Sequence, residues 1–148
     1  MAYTKQLSAY RETRIKTASQ GQLIIMLYDD AVKHLDQGLE LLNMNVKGKR
    51  DPGKIEKINK AVLKAQEIIT ELMASLDFDQ GGEIARNLFS LYSWFNQELL
   101  EANVQQDPRR ITIVRNMVNE LRGAWNEAVS KSSAETANRP VLGVNIAG

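Results

Sequence analysis

Cysteine is absent from the 148-residue sequence, and histidine occurs once, as His34. The absence of thiols excludes disulfide bonds, thiolate metal sites and cysteine nucleophiles. A single histidine cannot supply the paired Glu-x-x-His ligands of a di-iron bundle, and it leaves a zinc site short of ligands. Because the sequence also lacks a glycine-rich phosphate loop and a nucleophile elbow, we expect no metal, no cofactor and no enzymatic activity.

The sequence also lacks an excess of charge of one sign and any long apolar run. Lysine and arginine together number 19, aspartate and glutamate 18, and the net charge is +1. This balance provides no broad field for nucleic acid or anionic lipid. No apolar run approaches the ~20 residues that span a bilayer, and the first residues, MAYTKQLSAYRETR, lack the apolar centre of a signal peptide. The sequence therefore predicts a cytoplasmic protein without nucleic-acid binding or membrane insertion.

Proline is scarce, and the few prolines and glycines mark helix boundaries. Pro52 and Pro108 each follow an aspartate, which is the pattern of an N-cap followed by proline at the first helical position. Ser19 and Gln22 have the spacing of a capping box, and the pair Gly81-Gly82 separates two periodic segments. These signals predict four helices, at about 19–45, 52–77, 82–104 and 108–131.

Apolar residues recur every three or four residues in these segments, and no segment alternates as a β-strand would. Four such helices with short connections favour an antiparallel four-helix bundle. We therefore predict an all-α fold with an extended N-terminal arm at 1–18, a bundle domain at 19–131 and a disordered, flexible tail at 132–148. The residues expected to form the core include Ile24, Tyr28, Ala31 and Leu35; Ile58, Val62, Ala65, Ile69 and Leu72; Ile84, Leu88, Leu91, Tyr92, Phe95 and Leu99; and Ile111, Val114, Val118 and Trp125.

Each helix has further apolar residues beside its core stripe, which we call the surplus residues. They are Leu23, Met26, Leu27, Leu41, Leu63, Ile68, Phe89, Trp94, Leu100, Ile113 and Met117. One interpretation is that wide bundle cores use flanking positions and that isolated exposed apolar residues are ordinary. The other is that a second polypeptide covers an apolar surface, since all four helices have surplus residues. The arm at 1–18 is a candidate cover through Tyr10 and Ile15.

Several collinear segments resemble one known family. IKTAS followed by QLIIMLYDDAVKHL, then INKAVLKAQEIITELMASLDFDQGGEIARNLFSLYSWFNQELLEAN and LRGAWNEA, are similar to the FliS family of flagellar secretion chaperones over roughly residues 10–130. The sequence departs from the family pattern at Gln20, where proline is usual, and at Asp30, where glycine is usual. Neither departure removes the surplus apolar surface.

The resemblance implies a cytoplasmic chaperone of the flagellar type III export system. Its client would be the disordered C-terminal segment of flagellin, held so that flagellin does not polymerise prematurely and is delivered to the export apparatus. A component of the export gate would be a second partner, and flagellar regulators could be others. In the family, the N-terminal arm folds over the client groove of the free protein. We expect a monomer or a weak homodimer.

The client contacts that we assign combine this resemblance with the surplus residues. They are Tyr10, Ile15, Thr17, Leu23, Met26, Leu27, Tyr28, Leu88, Leu91, Tyr92, Leu99 and Trp125. Leu23 and Leu27 are the strongest of these, because the core stripe does not account for them. Tyr28, Leu88 and Trp125 fit the core at least as well, and we expect Asp77 and Asn103 to be helix-end caps. The alternative function is a bundle that self-associates as a scaffold and has no flagellin client.

Overall fold

The computed structural model describes residues 19–45 and 51–138, with side chains described through residue 132. The chain forms two compact units. The larger unit is Met26–Leu121, and the smaller unit combines the residues up to Ile25 with those from Arg122 onward. The predicted arm at 1–18 and the last ten residues of the predicted tail lie outside the described residues.

Four α-helices make up the described chain, in the order α1 (Gln20–Met44), α2 (Pro52–Ala74), α3 (Phe78–Gln105) and α4 (Pro108–Asn138). No strand occurs among the residues that the structure describes, so the predicted all-α class is confirmed. Helix α4 extends to residue 138, beyond the expected end at 131. The segment SSAETAN contains two alanines and a glutamate, which are good helix formers, and no proline interrupts it before position 140.

The helix starts follow from local side-chain chemistry. The Ser19 amide donates to Gln22 Oε1 at 3.0 Å, and the Gln22 amide donates to Ser19 Oγ at 3.1 Å, which confirms the predicted capping box. Asp51 caps α2 by accepting from the Gly53 amide at 2.9 Å. Asp107 accepts from the amide two residues later at 3.0 Å, so both predicted Asp-Pro starts are confirmed.

Helix α3 begins at Phe78, earlier than predicted, and it continues through a kink at Gly82. Its N-cap is Asp77, whose carboxylate accepts from the amides of residues 79 and 80. Gly82 then adopts φ 51° and ψ −123°, a conformation that residues with a side chain rarely tolerate. The glycine pair therefore lies within α3 rather than before it, and the expected capping role of Asp77 is confirmed.

The Met26–Leu121 unit is an antiparallel four-helix bundle, as predicted. Between α2 and α3, Asn59 pairs with Asn103 and Gln66 pairs with Asn96, so the numbering rises in one helix as it falls in the other. The same reversal links α1 to α2. At their connection the Asp51 amide donates to the Asn45 side chain at 2.8 Å. Two turns earlier in α1, the Gly38 backbone approaches Ala61 and Val62, which lie later in α2.

The described buried residues of this unit are apolar apart from Asn45, which is 6% exposed, and the hydroxyl groups of two tyrosines. The Tyr28 and Tyr92 hydroxyls hydrogen-bond to each other between α1 and α3. Burial raises the pKa of Tyr92, and the hydrogen bond from Tyr28 partly offsets that effect. The fully buried large side chains are Tyr28, Leu35, Ile58, Val62, Ile68, Ile69, Leu72, Tyr92, Phe95, Leu99, Ile111 and Val114.

Ile68 and Ile84 depart most from the predicted core, and the predicted core residues Leu88, Leu91 and Trp125 are only half-buried. Ile68 was expected among the surplus residues, but its exposed fraction is 0%. It lies two helical turns after Ala61, on the face of α2 that α1 approaches, so α1 covers it. Ile84 was expected in the core but is 71% exposed, and Ala85 is buried instead. Neighbouring helical residues point about 100° apart, and the α3 stripe after the kink runs through Ala85 and Tyr92.

The smaller unit joins the start of α1 to the end of α4. A Cβ atom built on Gly21 would lie 2.5 Å from Cγ2 of Val129, so glycine lets the Val129 side chain pack against the α1 backbone here. Ile24 is 8% exposed, and Trp125 is half-buried. These contacts fix a local α1–α4 pairing within this unit.

Candidate protein-binding surface

Exposed apolar side chains are concentrated on α3. Among the described residues, six of the nine exposed large hydrophobic side chains belong to this helix. They are Phe78, Ile84, Phe89, Trp94, Leu100 and Val104. Isolated exposed hydrophobic residues are ordinary, whereas a group of them on one helix can mark an interaction surface.

The boundary between α3 and α4 is apolar on its outer side. Glu98 and Arg110 form an ion pair across it, which fixes the level at which the two antiparallel helices meet. Leu91 and Trp94 precede Glu98 by seven and four residues, and Ile113 and Met117 follow Arg110 by three and seven. These spacings keep all four side chains on the facing sides of the two helices. We call Leu91, Trp94, Ile113 and Met117 the apolar seam.

The four side chains of the apolar seam are incompletely covered. Trp94 is 41% exposed and Ile113 is 49% exposed, while Leu91 and Met117 are half-buried. Trp94 also contacts the core, because its ring centroid lies 6.0 Å from that of Phe95. The seam is therefore anchored on its inner side and open to solvent on its outer side.

The Glu98–Arg110 pair closes one end of the apolar seam. Arg110 Nη1 donates to both Glu98 oxygens, at 3.1 and 2.9 Å, and Arg110 Nε lies 3.8 Å from the Asp107 carboxylate. The Glu98 side chain is 18% exposed and that of Arg110 is 33% exposed. A partner that lies in the seam would therefore meet a neutralised charge pair at this end rather than an isolated charge.

The other side of α3, where it meets α2, has different chemistry. The Gln66 side chain donates to the Asn96 backbone carbonyl at 3.0 Å, and the Asn96 side chain donates to Thr70 Oγ1 at 3.2 Å. Nearer the end of α3, the Asn103 side chain donates to the Asn59 carbonyl at 3.4 Å. The side chain of Gln106, the C-cap, donates to Asn59 Oδ1 at 3.2 Å and to the Asn103 carbonyl at 2.9 Å. We call Asn59, Gln66, Asn96, Asn103 and Gln106 the amide seam.

The amide seam corrects one sequence expectation. Asn103 was expected to cap a helix end, but its side chain bonds across to α2, and Gln106 is the C-cap. Leu63 of α2 and Leu100 of α3 lie beside this seam and are 53% and 49% exposed. Both lie beside the side-chain amides that join the two helices.

The predicted client contacts fall into three groups. Tyr10, Ile15 and Thr17 lie outside the described residues. Those that retain partial exposure are Leu23 and Trp125 in the smaller unit, and Met26, Leu27, Leu88 and Leu91 in the larger one. Those enclosed in the core are Tyr28, Tyr92 and Leu99, at 0%, 2% and 0% exposure.

Burial separates contact residues from supporting ones. Tyr28, Tyr92 and Leu99 present no surface that a partner could touch in this conformation, because neighbouring helices cover them. Trp94, Ile113 and Met117 were noted as surplus residues but were not included among the client contacts. The helical spacing identified them as uncovered, but it did not show that α3 and α4 place them at one boundary.

Metal and membrane chemistry find no support in the described part of the chain. It contains no group of three or more histidine or acidic residues positioned to hold a metal ion. None of the four helices, over the residues described, combines the length and the apolar character that a bilayer crossing needs.

A sequence profile of the family described as "Flagellar protein FliS" matches residues 3–132, which is most of the chain. The chain belongs to the FliS family. It is 34% identical to "Flagellar secretion chaperone FliS" of Salmonella typhimurium over 123 residues, which cover 82% of this chain and 85% of that protein. It is also 30% identical to the Vibrio cholerae protein of the same name, over 82% of this chain and 86% of the relative.

A solved structure agrees with the fold. It is described as "Crystal structure of flagellar chaperone from bacteria" and matches with a TM-score of 0.66 over 86% of this chain and 98% of that chain. At 20% sequence identity this match supports the helical architecture alone. Family membership makes this chain a flagellar secretion chaperone rather than an enzyme, as the sequence predicted.

Proposed function

We propose that the protein binds the disordered C-terminal segment of flagellin and that the apolar seam is a principal contact. The observation that carries this proposal is the exposure of Trp94 and Ile113, at 41% and 49%, in two helices whose Glu98–Arg110 pair places both residues toward the α3–α4 boundary. An apolar trough between two helices accepts an amphipathic segment that inserts apolar side chains along its length. The FliS family assignment supports a flagellar export client as the occupant.

Binding would be coupled to ordering of the client. The four seam residues, which are already partly covered, supply on the order of 3–6 kcal/mol of additional burial. Ordering even a short client segment costs about 1–2 kcal/mol per residue, so the seam cannot hold it alone. We therefore retain Met26, Leu27 and Leu88 as further contacts in the larger unit, and Leu23 and Trp125 in the smaller one. Burial in the client complex would remove the segment from the pool able to polymerise.

Delivery is the second part of the proposal. A chaperone that holds a client at an apolar surface can release it to an export-gate component that competes for the same side chains. We place this exchange in the cytoplasm, where flagellin is made before export. Tyr10, Ile15 and Thr17 remain proposed contacts of the arm or the client. Flagellar regulators that compete for the apolar seam would be further partners.

A matched pair of variants tests the contact surface. Ile113 and Leu100 are each 49% exposed, but Ile113 lies in the apolar seam and Leu100 lies beside the amide seam. We expect Ile113→Glu to weaken binding of a flagellin C-terminal peptide at least about 100-fold, since it would bury an unpaired carboxylate. Leu100→Glu should change the affinity less than about threefold. Titration calorimetry measures both, and circular dichroism checks that both variants fold.

Equal losses in the two variants would remove the apolar seam from the proposal. A second outcome would favour the alternative function, self-association without a flagellin client. If light scattering shows a dimer that Ile113→Glu dissociates, and no flagellin peptide binds the unaltered protein, the apolar seam is a contact between copies of this chain.

A further inference from the structure

The chain enters α3 through one helical turn that is folded back against the rest of the helix. Phe78 and Phe89 are 11 residues apart, and a straight helix would separate their Cα atoms by about 16 Å. Two phenylalanine side chains are too short to close that distance, yet the ring centroids lie 5.9 Å apart. A Cβ atom built on Gly81 would lie 2.8 Å from Cβ of Ala85, which is a second close approach between the turn and the helix. We call residues 77–82 the entry turn.

Gly82 is the point at which the entry turn folds back. Its φ of 51° and ψ of −123° are tolerated by glycine and rarely adopted by residues with a Cβ atom. Space is not the constraint, since a Cβ atom built there would meet nothing within 4 Å. At its other end the entry turn is joined to α2 by Ser75 and Leu76, which belong to neither helix. The entry turn therefore has a non-helical joint at each end.

The hydrogen bonds of the entry turn are internal. The Asp77 carboxylate accepts from the amides of Asp79 and Gln80, at 3.0 and 3.1 Å, and the Gly81 amide donates to the Asp77 carbonyl at 2.7 Å. The first four residues of the turn are exposed. Over the described residues, no side-chain hydrogen bond or ion pair joins the entry turn to another part of the chain. The turn is therefore a self-capped unit.

An aromatic contact between Phe78 and Phe89 fastens the entry turn to α3. The two rings meet edge to face, with 63° between their planes. Both remain partly exposed, Phe78 at 45% and Phe89 at 42%. Because one aromatic pair and partial burial stabilise the closed position only slightly, the turn can open without disturbing the core.

We propose that the entry turn is a lid that opens and closes about Gly82 while the rest of the bundle stays folded. In the closed position, which the structure shows, Phe78 covers part of Phe89. In the open position both rings are uncovered on the helix that carries Ile84, which is already 71% exposed. The lid therefore controls how much apolar surface the start of α3 presents. This inference does not depend on the flagellin proposal.

Hydrogen exchange of the Gly81 amide in the full-length protein measures the opening. Phe78→Ala and Phe89→Ala each remove the same contact, so each should speed this exchange about 2- to 10-fold. The contact can be lost only once, so the double variant should exchange no faster than the faster single variant. Leu100→Ala is the control, because Leu100 is 49% exposed on the same helix. It should change the exchange of the Gly81 amide less than about 1.5-fold.

The same nuclear magnetic resonance spectra test whether the opening is local. The Gly81 amide should be at least about 100-fold less protected than the amides of Tyr92 and Phe95 in the core. Its exchange should also be independent of urea below about 1 M, since a local opening exposes little surface. The two core amides should respond to urea as global unfolding does.

A matched pair of glycine variants tests the joint. A Cβ atom would meet nothing within 4 Å at Gly82 or at Gly123, but only Gly82 has a positive φ. Gly82→Ala should abolish the nuclear Overhauser effects between the Phe78 and Phe89 rings and speed exchange of the Gly81 amide at least about fivefold. Gly123→Ala should leave both unchanged. Circular dichroism melts check that both variants remain folded.

The exposed apolar surface is measured with the dye anilinonaphthalene sulfonate. Both glycine variants are placed in the Ile113→Glu background, which puts a charge in the apolar seam and so reduces dye binding there. Gly82→Ala should raise the dye fluorescence at least about twofold, and Gly123→Ala should not raise it.

Several results would overturn the proposal. They are additive effects of the two phenylalanine variants, a urea dependence of the Gly81 amide equal to that of the core, or equal behaviour of the two glycine variants. If Gly82→Ala lowers the melting temperature of the whole bundle and retains the ring contact, Gly82 serves the global fold and the entry turn is not a lid. The phenylalanine variants decide the question independently if Gly82→Ala does not fold.

Discussion

The two sides of α3 show how one helix can be closed on one flank and open on the other. Toward α2, the amide seam joins the helices through directional hydrogen bonds such as that from Gln66 to the Asn96 carbonyl. Toward α4, the apolar seam has Trp94 and Ile113 partly exposed, and the Glu98–Arg110 ion pair lies at one end of it. The closed flank fixes the level of the helices, and the open flank retains surface for a partner.

Exposure alone does not distinguish the two flanks. Leu100 beside the amide seam and Ile113 in the apolar seam have the same exposed fraction, 49%. What differs is the chemistry of the side chains that lie beside each residue. Leu100 lies beside the amide side chains that join α2 and α3, whereas the spacing from the Glu98–Arg110 pair places Ile113 among apolar residues at the α3–α4 boundary. A binding surface is therefore recognised by contiguity across two helices rather than by any single exposed residue.

The amide seam is incompletely satisfied, which limits how much it stabilises the bundle. The side-chain oxygens of Asn96, Asn103 and Gln106 are buried and have no hydrogen-bond partner. Buried acceptors without partners offset part of the gain from the donors on the same side chains. The seam therefore serves mainly to set the register between α2 and α3, a role for which directional bonds suit it.

The largest stability effect that we expect on either flank comes from Gln106. Its side chain makes two hydrogen bonds, and its backbone is left-handed, with φ 54°. Gln106→Ala removes both bonds and keeps the unfavourable φ, so we expect a loss of about 1–2 kcal/mol in the free energy of unfolding. Gln106→Gly removes the same bonds but relieves about 1 kcal/mol of backbone cost, so its loss should be smaller. Urea unfolding measures both.

The two Gln106 variants separate the contribution of the side-chain hydrogen bonds from the cost of the left-handed backbone conformation. If alanine and glycine cost the same, the left-handed conformation carries no penalty here. If neither variant loses stability, the amide seam does not hold α3 against α2, and the contrast between the two flanks of α3 would disappear.

The sequence predicted the features that depend on neighbours along the chain. The Ser19–Gln22 capping box and the caps at Asp51 and Asp107 are encoded within three residues of each helix start, so spacing alone identified them. The helical periods also gave the bundle class correctly.

Features that depend on a neighbouring helix could not be predicted from spacing along the chain. Ile68 appeared to be surplus until α1 was seen to approach α2 at Gly38, and Ile84 appeared to be core until the kink at Gly82 set the stripe. The apolar seam has the same origin. The periodicity identified Trp94 and Ile113 as uncovered, but only the level set by the Glu98–Arg110 pair places both toward the same boundary between helices.

A smaller effect tests the electrostatic difference between the flanks. Arg110→Met removes the ion pair with Glu98, and Gln66→Met removes a neutral hydrogen bond on the other side. We expect each to cost about 0.5–1 kcal/mol at low salt. At about 1 M salt the cost of Arg110→Met should shrink because the pair is screened, while that of Gln66→Met should persist. Urea unfolding at both salt concentrations gives the two differences.

The comparison would fail if salt affected both variants alike. An equal response would mean that screening acts on the whole bundle rather than on the α3–α4 pair. Since the difference between the variants is the measured quantity, general effects of salt on burial cancel.

The smallest effect that we expect is the dependence of stability on pH. His34 on α1 is the one histidine of the chain, and it lies outside both seams. Burial, chiefly, lowers its pKa in the folded protein below 6.5. The unfolded chain therefore binds the proton more readily, so this contribution to stability is complete above pH 6.5 and is lost as pH falls toward the folded pKa. The slope cannot exceed about 1.4 kcal/mol per pH unit for one proton, and partial exposure makes it smaller.

Unfolding of the unaltered protein and of His34→Gln between pH 8 and pH 5.5 isolates this contribution. The unaltered protein should lose stability over that range. The free energy of unfolding of the variant should change little with pH, since the glutamine side chain does not titrate. A variant that loses stability to the same extent as the unaltered protein would contradict the assignment of this pH dependence to His34.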